Sequence, residues 1–371
     1  MKPATVRLIL LTLMFTVLPI YAWEATAMAP VNTAAIAEAA PAVAGQAETE
    51  SPIVEPFAFE EPIAAAPAAA KPATTQNSEP LFSLSVLSDV HVGARNSDSQ
   101  KRFRSALADH AAIRPDSKLM VLNGDLTNGN PADNKALMSI IDAATHPELH
   151  AAIGNHEFYQ MWATPSGGQD VTKLNPNWST PQAISLFKQM FNYNQLYHEN
   201  VLDGYHFLFL GGEQYRDVDP SVHEDAYLSP EQLGWLQERL ANADKHSPDK
   251  PIFVFLHQPI VHTIEGSDTE LGVVQHEQLL AILSSYPNVV LFSGHTHWNL
   301  ETTKQVNQLE FLAVGSSSVA EVWNGNNEPE GSKASQSLVV DVYSDHIAIR
   351  GREHSEQRWI EPAFVKSYPA K

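Results

Sequence analysis

Five short stretches of this 371-residue chain gather the residue types that bind divalent cations: Asp89-Val90-His91, Asn123-Gly124-Asp125, Gly154-Asn155-His156-Glu157, the single His257, and His295-Thr296-His297. Carboxylate oxygen, imidazole nitrogen and amide oxygen in one set suit borderline ions such as Mn²⁺, Fe²⁺ or Zn²⁺ better than Ca²⁺, which favours all-oxygen shells. Each fragment also has a plainer explanation. Asp-x-His and Gly-Asp recur by chance, Gly-Asn-His-Glu suits a turn with a helix cap, and a lone histidine is more often a satisfied core residue than a ligand. Placement along the chain separates the alternatives.

Each stretch directly follows an apolar run that reads as a strand: FSLSVLS (82–88), LMVL (119–122), LHAAI (149–153), IFVFL (252–256) and VVLFS (289–293). Amphipathic segments lie between them. The spacing predicts a helix through Phe103, Leu107 and Ala111, and another opened by Asn130-Pro131 and carrying Leu137, Ile140 and Ile141. A third begins at Ser229-Pro230 with Gln232 completing a capping box, and a fourth spans 275–284; YHFLFL (205–210) reads as a further strand. Strands alternating with helices predict an α/β domain. Towards the C-terminus LEFLAV, SLVVDVY and HIAIRG follow one another and suggest an antiparallel portion. Ligands of open α/β sheets bind outside the carboxyl ends of the strands, where all five clusters would project. The i, i+2 spacing lets His295 and His297 point into one cavity.

The chain has no cysteine, which removes disulfides, thiolate-bound zinc and a thiol nucleophile. Of the net charge of −20, residues 80–371 hold −15 once Lys2, Arg7, Lys71 and the eight glutamates before them are set aside. Such a field repels polyanions, so a nucleic-acid partner is not expected. Residues 1–27 read as a secretory signal peptide, with Lys2 and Arg7, a short apolar run broken by Pro19, and Ala25-Thr26-Ala27 for cleavage. Residues 28–79, rich in Ala, Pro and Glu, read as a disordered linker. A domain is expected over 80–355 and a tail over 356–371, the protein being secreted or held at the cell surface with no transmembrane helix after cleavage.

In this order DVH, NGD, GNHE, H and GHTH resemble the motifs of the calcineurin-like metallophosphoesterase superfamily; they span residues 89 to 297. The resemblance implies an α/β (α+β) fold, an αββα sandwich of two mixed sheets flanked by helices. It implies that Asp89, His91 and His297 bind one metal, that Asn155, His257 and His295 bind the other, and that Asp125 bridges them. Catalysis would follow attack of a metal-bound hydroxide on phosphorus, with His156 as imidazolium protonating the departing oxygen and Glu157 available to orient its ring. Two departures narrow the activity. Asn128 stands where purple acid phosphatases carry a tyrosine ligand, and Asn128-Gly129-Asn130 lacks the arginine of serine/threonine protein phosphatases.

The pattern is shared with class III cyclic nucleotide phosphodiesterases, so it does not separate monoester from diester hydrolysis. Discrimination is expected from residues 158–180, with Tyr159, Trp162 and Trp178, and 213–227, with Tyr215, Arg216 and Tyr227. Their aromatic residues are read first as loop packing, and Arg95 as a phosphate contact or a solvated charge. The expected activity is hydrolysis of small phosphate mono- or diesters by an exported enzyme. Alternatives are a cyclic nucleotide phosphodiesterase or nuclease of the same fold, or a non-catalytic metal-binding module.

Overall fold

A computed structural model describes residues 79–166, 168–268, 272–331 and 333–368, so the expected signal peptide and nearly all of the linker lie outside the described residues. Among the described residues twelve strands form two six-stranded sheets. The first has the order β12-β11-β10-β1-β2-β3, from β1 (Phe82–Leu87), β2 (Leu119–Asn123), β3 (Glu148–Ala152), β10 (Gln336–Val342), β11 (His346–Glu353) and β12 (Arg358–Ser367). The second has the order β4-β5-β6-β7-β9-β8, from β4 (His198–Leu202), β5 (Tyr205–Phe209), β6 (Ile252–Phe255), β7 (Val289–Ser293), β8 (Val306–Gln308) and β9 (Leu312–Gly315). Helices α1 (Ser97–Ile113), α2 (Pro131–Ala143), α3 (Thr180–Phe191), α4 (Pro230–His246) and α5 (His276–Ser284) complete the αββα sandwich.

The central strands β1, β2, β5, β6 and β7 are buried on both faces because both faces are covered. Leu84 and Val86 of β1, Phe207 and Phe209 of β5, Phe253 and Phe255 of β6, and Val290 and Phe292 of β7 meet between the sheets. Their ring pairs Phe207–Phe253, Phe209–Phe255 and Phe255–Phe292 stack 5.0, 5.0 and 5.2 Å apart across neighbouring strands. The opposite face of the first sheet, with Leu87 and Leu122, packs on Phe103 and Leu107 of α1 and Leu137 and Ile140 of α2. That of the second, with Leu208, Val254 and Leu291, packs on Leu233, Leu236 and Leu240 of α4 and Leu279 and Leu283 of α5.

Helix starts follow the sequence signals, with one change. Asn96 accepts from the N–H groups of Asp98 and Ser99, and Asn130 from those of Ala132 and Asp133 ahead of α2. Ser229 Oγ accepts from Gln232 N at 3.1 Å, but Gln232 does not return the bond as a capping box requires. Its amide is drawn away to the backbone of Gly211, accepting at 3.0 Å and donating at 2.9 Å, and the Ser229 N–H goes to Glu213.

Two C-terminal expectations are corrected. LEFLAV does not join the antiparallel run: its C-terminal part, β9, lies parallel to β7 in the second sheet, delivered there by its hairpin with β8. Beyond residue 355, where a tail was expected, β12 pairs antiparallel with β11 as an edge strand. Its anchor is Trp359, whose ring is flanked by the guanidinium groups of Arg114, Arg350 and Arg352 at 5.2, 4.6 and 5.1 Å.

Candidate active site

Strands β1, β2 and β3 run parallel, as do β5, β6, β7 and β9, and the five ligand-type clusters follow the carboxyl ends of β1, β2, β3, β6 and β7. The loops after β1 and β2 are joined through Asp89 N to Gly124 O (3.1 Å) and His91 N to Asp125 O (3.0 Å). Asn123 links the two sheets, because its Nδ2 donates to Phe292 O at 3.1 Å while its own carbonyl accepts from Ser88 Oγ and His257 Nδ1. Two glycines allow this approach. A Cβ on Gly124, whose φ is +84°, would fall 2.5 Å from the His257 ring, and one on Gly154 would fall 2.2 Å from Asp125 Oδ1.

Asp89, His91, Asp125, His295 and His297 all have φ between 41° and 69°, the left-handed region that residues other than glycine rarely adopt. Each costs on the order of 1–3 kcal/mol and persists where the surrounding structure over-determines it, which is typical of ligand clamps.

Two groupings result, Asp89–His91–Asp125–His297 and Asp125–His257–His295, each with ligand atoms within 4.8 Å of one another and with Asp125 common to both. His257 donates Nδ1–H to Asn123 O at 2.8 Å; its buried Nε2 faces Asp125 Oδ2 at 3.1 Å and Asp89 Oδ1 at 3.7 Å, making no hydrogen bond. His297 donates Nδ1–H to Glu321 O at 2.9 Å, and its Nε2 lies 3.0 Å from Asp89 Oδ1 and 3.2 Å from His91 Nε2. Imidazole nitrogens packed against carboxylate oxygens need positive charge between them, a proton or a metal ion, and the Asp125 shared by both groupings fits a pair of cations. Asn155 Oδ1 lies 3.1 Å from His295 Nδ1 and completes the second grouping.

Protons can answer the same demand. Burial would raise both carboxyls, yet His297 and His257 hold Asp89 below its ordinary value, and His257 and His156 hold Asp125 well below. Burial opposes a charge on His257, but Asp125 and Asp89 outweigh it and push the ring up to about 10. Burial lowers His91 to about 4 and His156 to about 3, with Asp125 pulling the other way in both.

His156 stands at the rim, its side chain 27 % exposed, with Nε2 3.8 Å from Asp125 Oδ2 and Nδ1 2.9 Å from Asn128 Oδ1. Its ring stacks on Tyr159 at 3.9 Å. Glu157 does not orient that ring, contrary to the expectation. Its buried carboxylate instead accepts four backbone N–H groups, from Asp125 (3.1 Å), Leu126 (2.8 Å), Thr127 (3.0 Å) and Gly154 (2.8 Å), and so fixes the loop that carries Asp125. Burial and the Asp125 charge push Glu157 up to about 7, against the pull of these donors.

Asn128 and Glu224 join the site without being among the expected ligand or catalytic residues. Asn128 has its position three residues after Asp125 as a signal. Glu224 has none: it accepts from Tyr215 OH (3.0 Å) and Arg216 Nη2 (2.7 Å) in its own segment, and from Asn155 Nδ2 (3.0 Å) and Tyr159 OH (3.2 Å), which lie 69 and 65 residues away in sequence. Tyr159, Trp162 and Tyr215 of the segments 158–180 and 213–227 thus brace the site, Trp162 donating to Tyr215 OH at 3.2 Å. Arg95 is exposed and does not line the cavity.

That cavity, about 590 Å³, opens over His91, Asp125, His156, His295 and His297 and extends along Asp98, Arg102, Trp298, Glu321 and Trp323. A sequence model of the calcineurin-like phosphoesterase family matches residues 82–299. The chain belongs to this family. It is a phosphoesterase, a metal-dependent hydrolase of phosphoric esters. It is similar to the manganese-dependent ADP-ribose/CDP-alcohol diphosphatase of Xenopus laevis, 22 % identical over 277 residues that cover 59 % of this chain and 76 % of the relative. It is also similar to the glycerophosphodiester phosphodiesterase of Enterobacter lignolyticus, 25 % identical over 199 residues, 52 % of this chain and 59 % of the relative. The fold resembles that of a dimetal phosphatase from Danio rerio (TM-score 0.56, 16 % identity, 78 % of this chain and 100 % of that one). It also resembles a yellow lupin purple acid phosphatase (TM-score 0.52, 14 % identity, 78 % and 54 %).

Proposed function

We propose that this phosphoesterase hydrolyses small phosphate mono- or diesters, with Asp89, His91 and His297 holding one divalent cation, Asn155, His257 and His295 a second, and Asp125 bridging them. The observation that carries this reading is the sharing of Asp125 between both groupings. When bound, such a pair supplies Lewis-acid charge to the phosphoryl group and activates water as nucleophile. The chain supplies the rest. Glu157 and the loop contacts of Asn123 fix the carboxylates, Glu224 turns the Asn155 amide, and His156 hands a proton to the departing oxygen. The negative charge of a bound phosphate ester favours the imidazolium form that this role requires. Asn128 can serve either tautomer by presenting its oxygen or its amide nitrogen to Nδ1.

Substrates of relatives are consistent with small esters and diphosphates, one acting on ADP-ribose and CDP-alcohols and the other on glycerophosphodiesters. The −15 charge after residue 79 tells against a polyanionic polymer. Rates on p-nitrophenyl phosphate, bis-p-nitrophenyl phosphate, cyclic nucleotides and DNA, with Mn²⁺ present, test the proposal: small esters should lead, and DNA cleaved far faster than all of them would replace it with a nuclease. Export, read from the first 27 residues, is part of the proposal; among the described residues no helix is long and apolar enough to cross a membrane. N-terminal sequencing of protein recovered outside the cytoplasm should show the leader removed, and an intact leader on cytoplasmic protein would refute it.

A further inference from the structure

Part of the active-site cavity's lining lies outside the set of metal-ligand and proton-donor residues. It contains Trp298, Trp323, Glu321 and Asp98. The two tryptophans are neighbours through a backbone bridge, Trp323 N donates to His297 O at 2.9 Å, and the Trp323 ring meets His297 edge-on at 5.9 Å. Both indoles are only half-buried. They are nevertheless held in place. Trp323 Nε1 donates to Glu321 Oε2 at 3.2 Å, and Gly266 lies so close to Trp298 that a Cβ there would be 2.7 Å from the ring. Glu321 and Asp98 are exposed carboxylates on the same cavity. Arg102, a cation on that wall, is committed to the carbonyls of Ala320 and Ala334 at 2.7 and 2.8 Å.

Indole faces attract cations, and adjacent carboxylates add to that attraction. A neutral ring would stack on the tryptophans and leave the carboxylates unused, while an anionic arm would be repelled by them. We propose that this wall is a subsite for a positively charged, ammonium-bearing ester arm of a phosphodiester substrate. The proposal rests on the phosphoesterase site described above, with the phosphate on the Asp/His cluster and the cationic arm on Trp298, Trp323 and Glu321.

The test compares p-nitrophenyl phosphorylcholine with its uncharged isostere, 3,3-dimethylbutyl p-nitrophenyl phosphate, on the full chain, with bis-p-nitrophenyl phosphate as reference. Wild type should prefer the cationic ester by about tenfold in kcat/KM, mostly through KM, as expected for a desolvated cation–π contact with charge support. Glu321→Gln and Trp298→Leu should each bring the ratio, taken within the variant, to about threefold or below. Equal rates on the two esters in wild type would overturn the subsite, and so would a ratio unchanged in both variants. Thymidine p-nitrophenyl phosphate outpacing the cationic ester tenfold would overturn it in favour of base stacking. No hydrolysis of bis-p-nitrophenyl phosphate would instead overturn diester hydrolysis itself.

Discussion

Replacing Glu157 by glutamine keeps the side chain's shape and removes its charge, which isolates the carboxylate's role beneath Asp125. Oε1 accepts from Leu126 and Thr127, and Oε2 from Asp125 and Gly154. A glutamine oxygen can keep only one of these pairs, so its NH₂ group faces two buried N–H donors. At roughly 1–3 kcal/mol for each buried donor left unpaired, the loss is about 2–6 kcal/mol. An opposing effect exists, because the substitution also removes the repulsion between Glu157 and Asp125 that helps to push Glu157 up to about 7. The donors should win: four short bonds hold the carboxylate, whereas the repulsion is one contribution among several and bound cations would relieve it. A net loss of about 2–5 kcal/mol lowers Tm by roughly 5–15 °C in a domain of this size. Differential scanning calorimetry of metal-free and Mn²⁺-loaded protein measures it, and Glu157→Gln should lower Tm in both. A Tm at or above wild type would show that charge repulsion outweighs the four hydrogen bonds.

His156→Ala should lower kcat by roughly 10²–10⁴ on alkyl phosphate esters, the usual scale for a general acid, and by much less on nitrophenyl esters, whose leaving group hardly needs a proton. Equal losses on both substrates, or loss of bound metal, would assign the ring a different role. Glu224→Ala removes the acceptor that turns the Asn155 amide, and should weaken one of two Mn²⁺ binding steps by about 10–100-fold in calorimetric titration. Two unchanged steps would show that Asn155 needs no such support.

The nine candidate residues were legible because each follows an apolar strand, and the strands were legible because both their faces are buried. Edges were harder to see. β4 (HENVL) and β12 (RWIEPAFVKS) are only half covered and carry Glu199, Glu361, Pro362 and Lys366, so neither shows a clear apolar run or a clean alternation. Helix α3 begins at Ser179-Thr180-Pro181, with proline in its first turn, but Ser179 makes no side-chain cap bond. Glu157 lies next to His156 in sequence, but adjacency does not fix direction. Its carboxylate turns towards four backbone donors that only the folded loops bring together, and the ring is left to Asn128. Glu224 and the Trp298–Trp323 wall depend on contacts between loops far apart in sequence, and composition does not encode these.

The central claim is a pair of cations sharing Asp125, and metal stoichiometry tests it most directly. Protein loaded with Mn²⁺, freed of excess metal by gel filtration and analysed by elemental mass spectrometry should carry close to two ions per chain. Asp125→Ala, which removes the ligand common to both groupings, should carry fewer than one. Wild-type protein that retains no metal, or an Asp125→Ala variant that still holds two ions, would contradict the account.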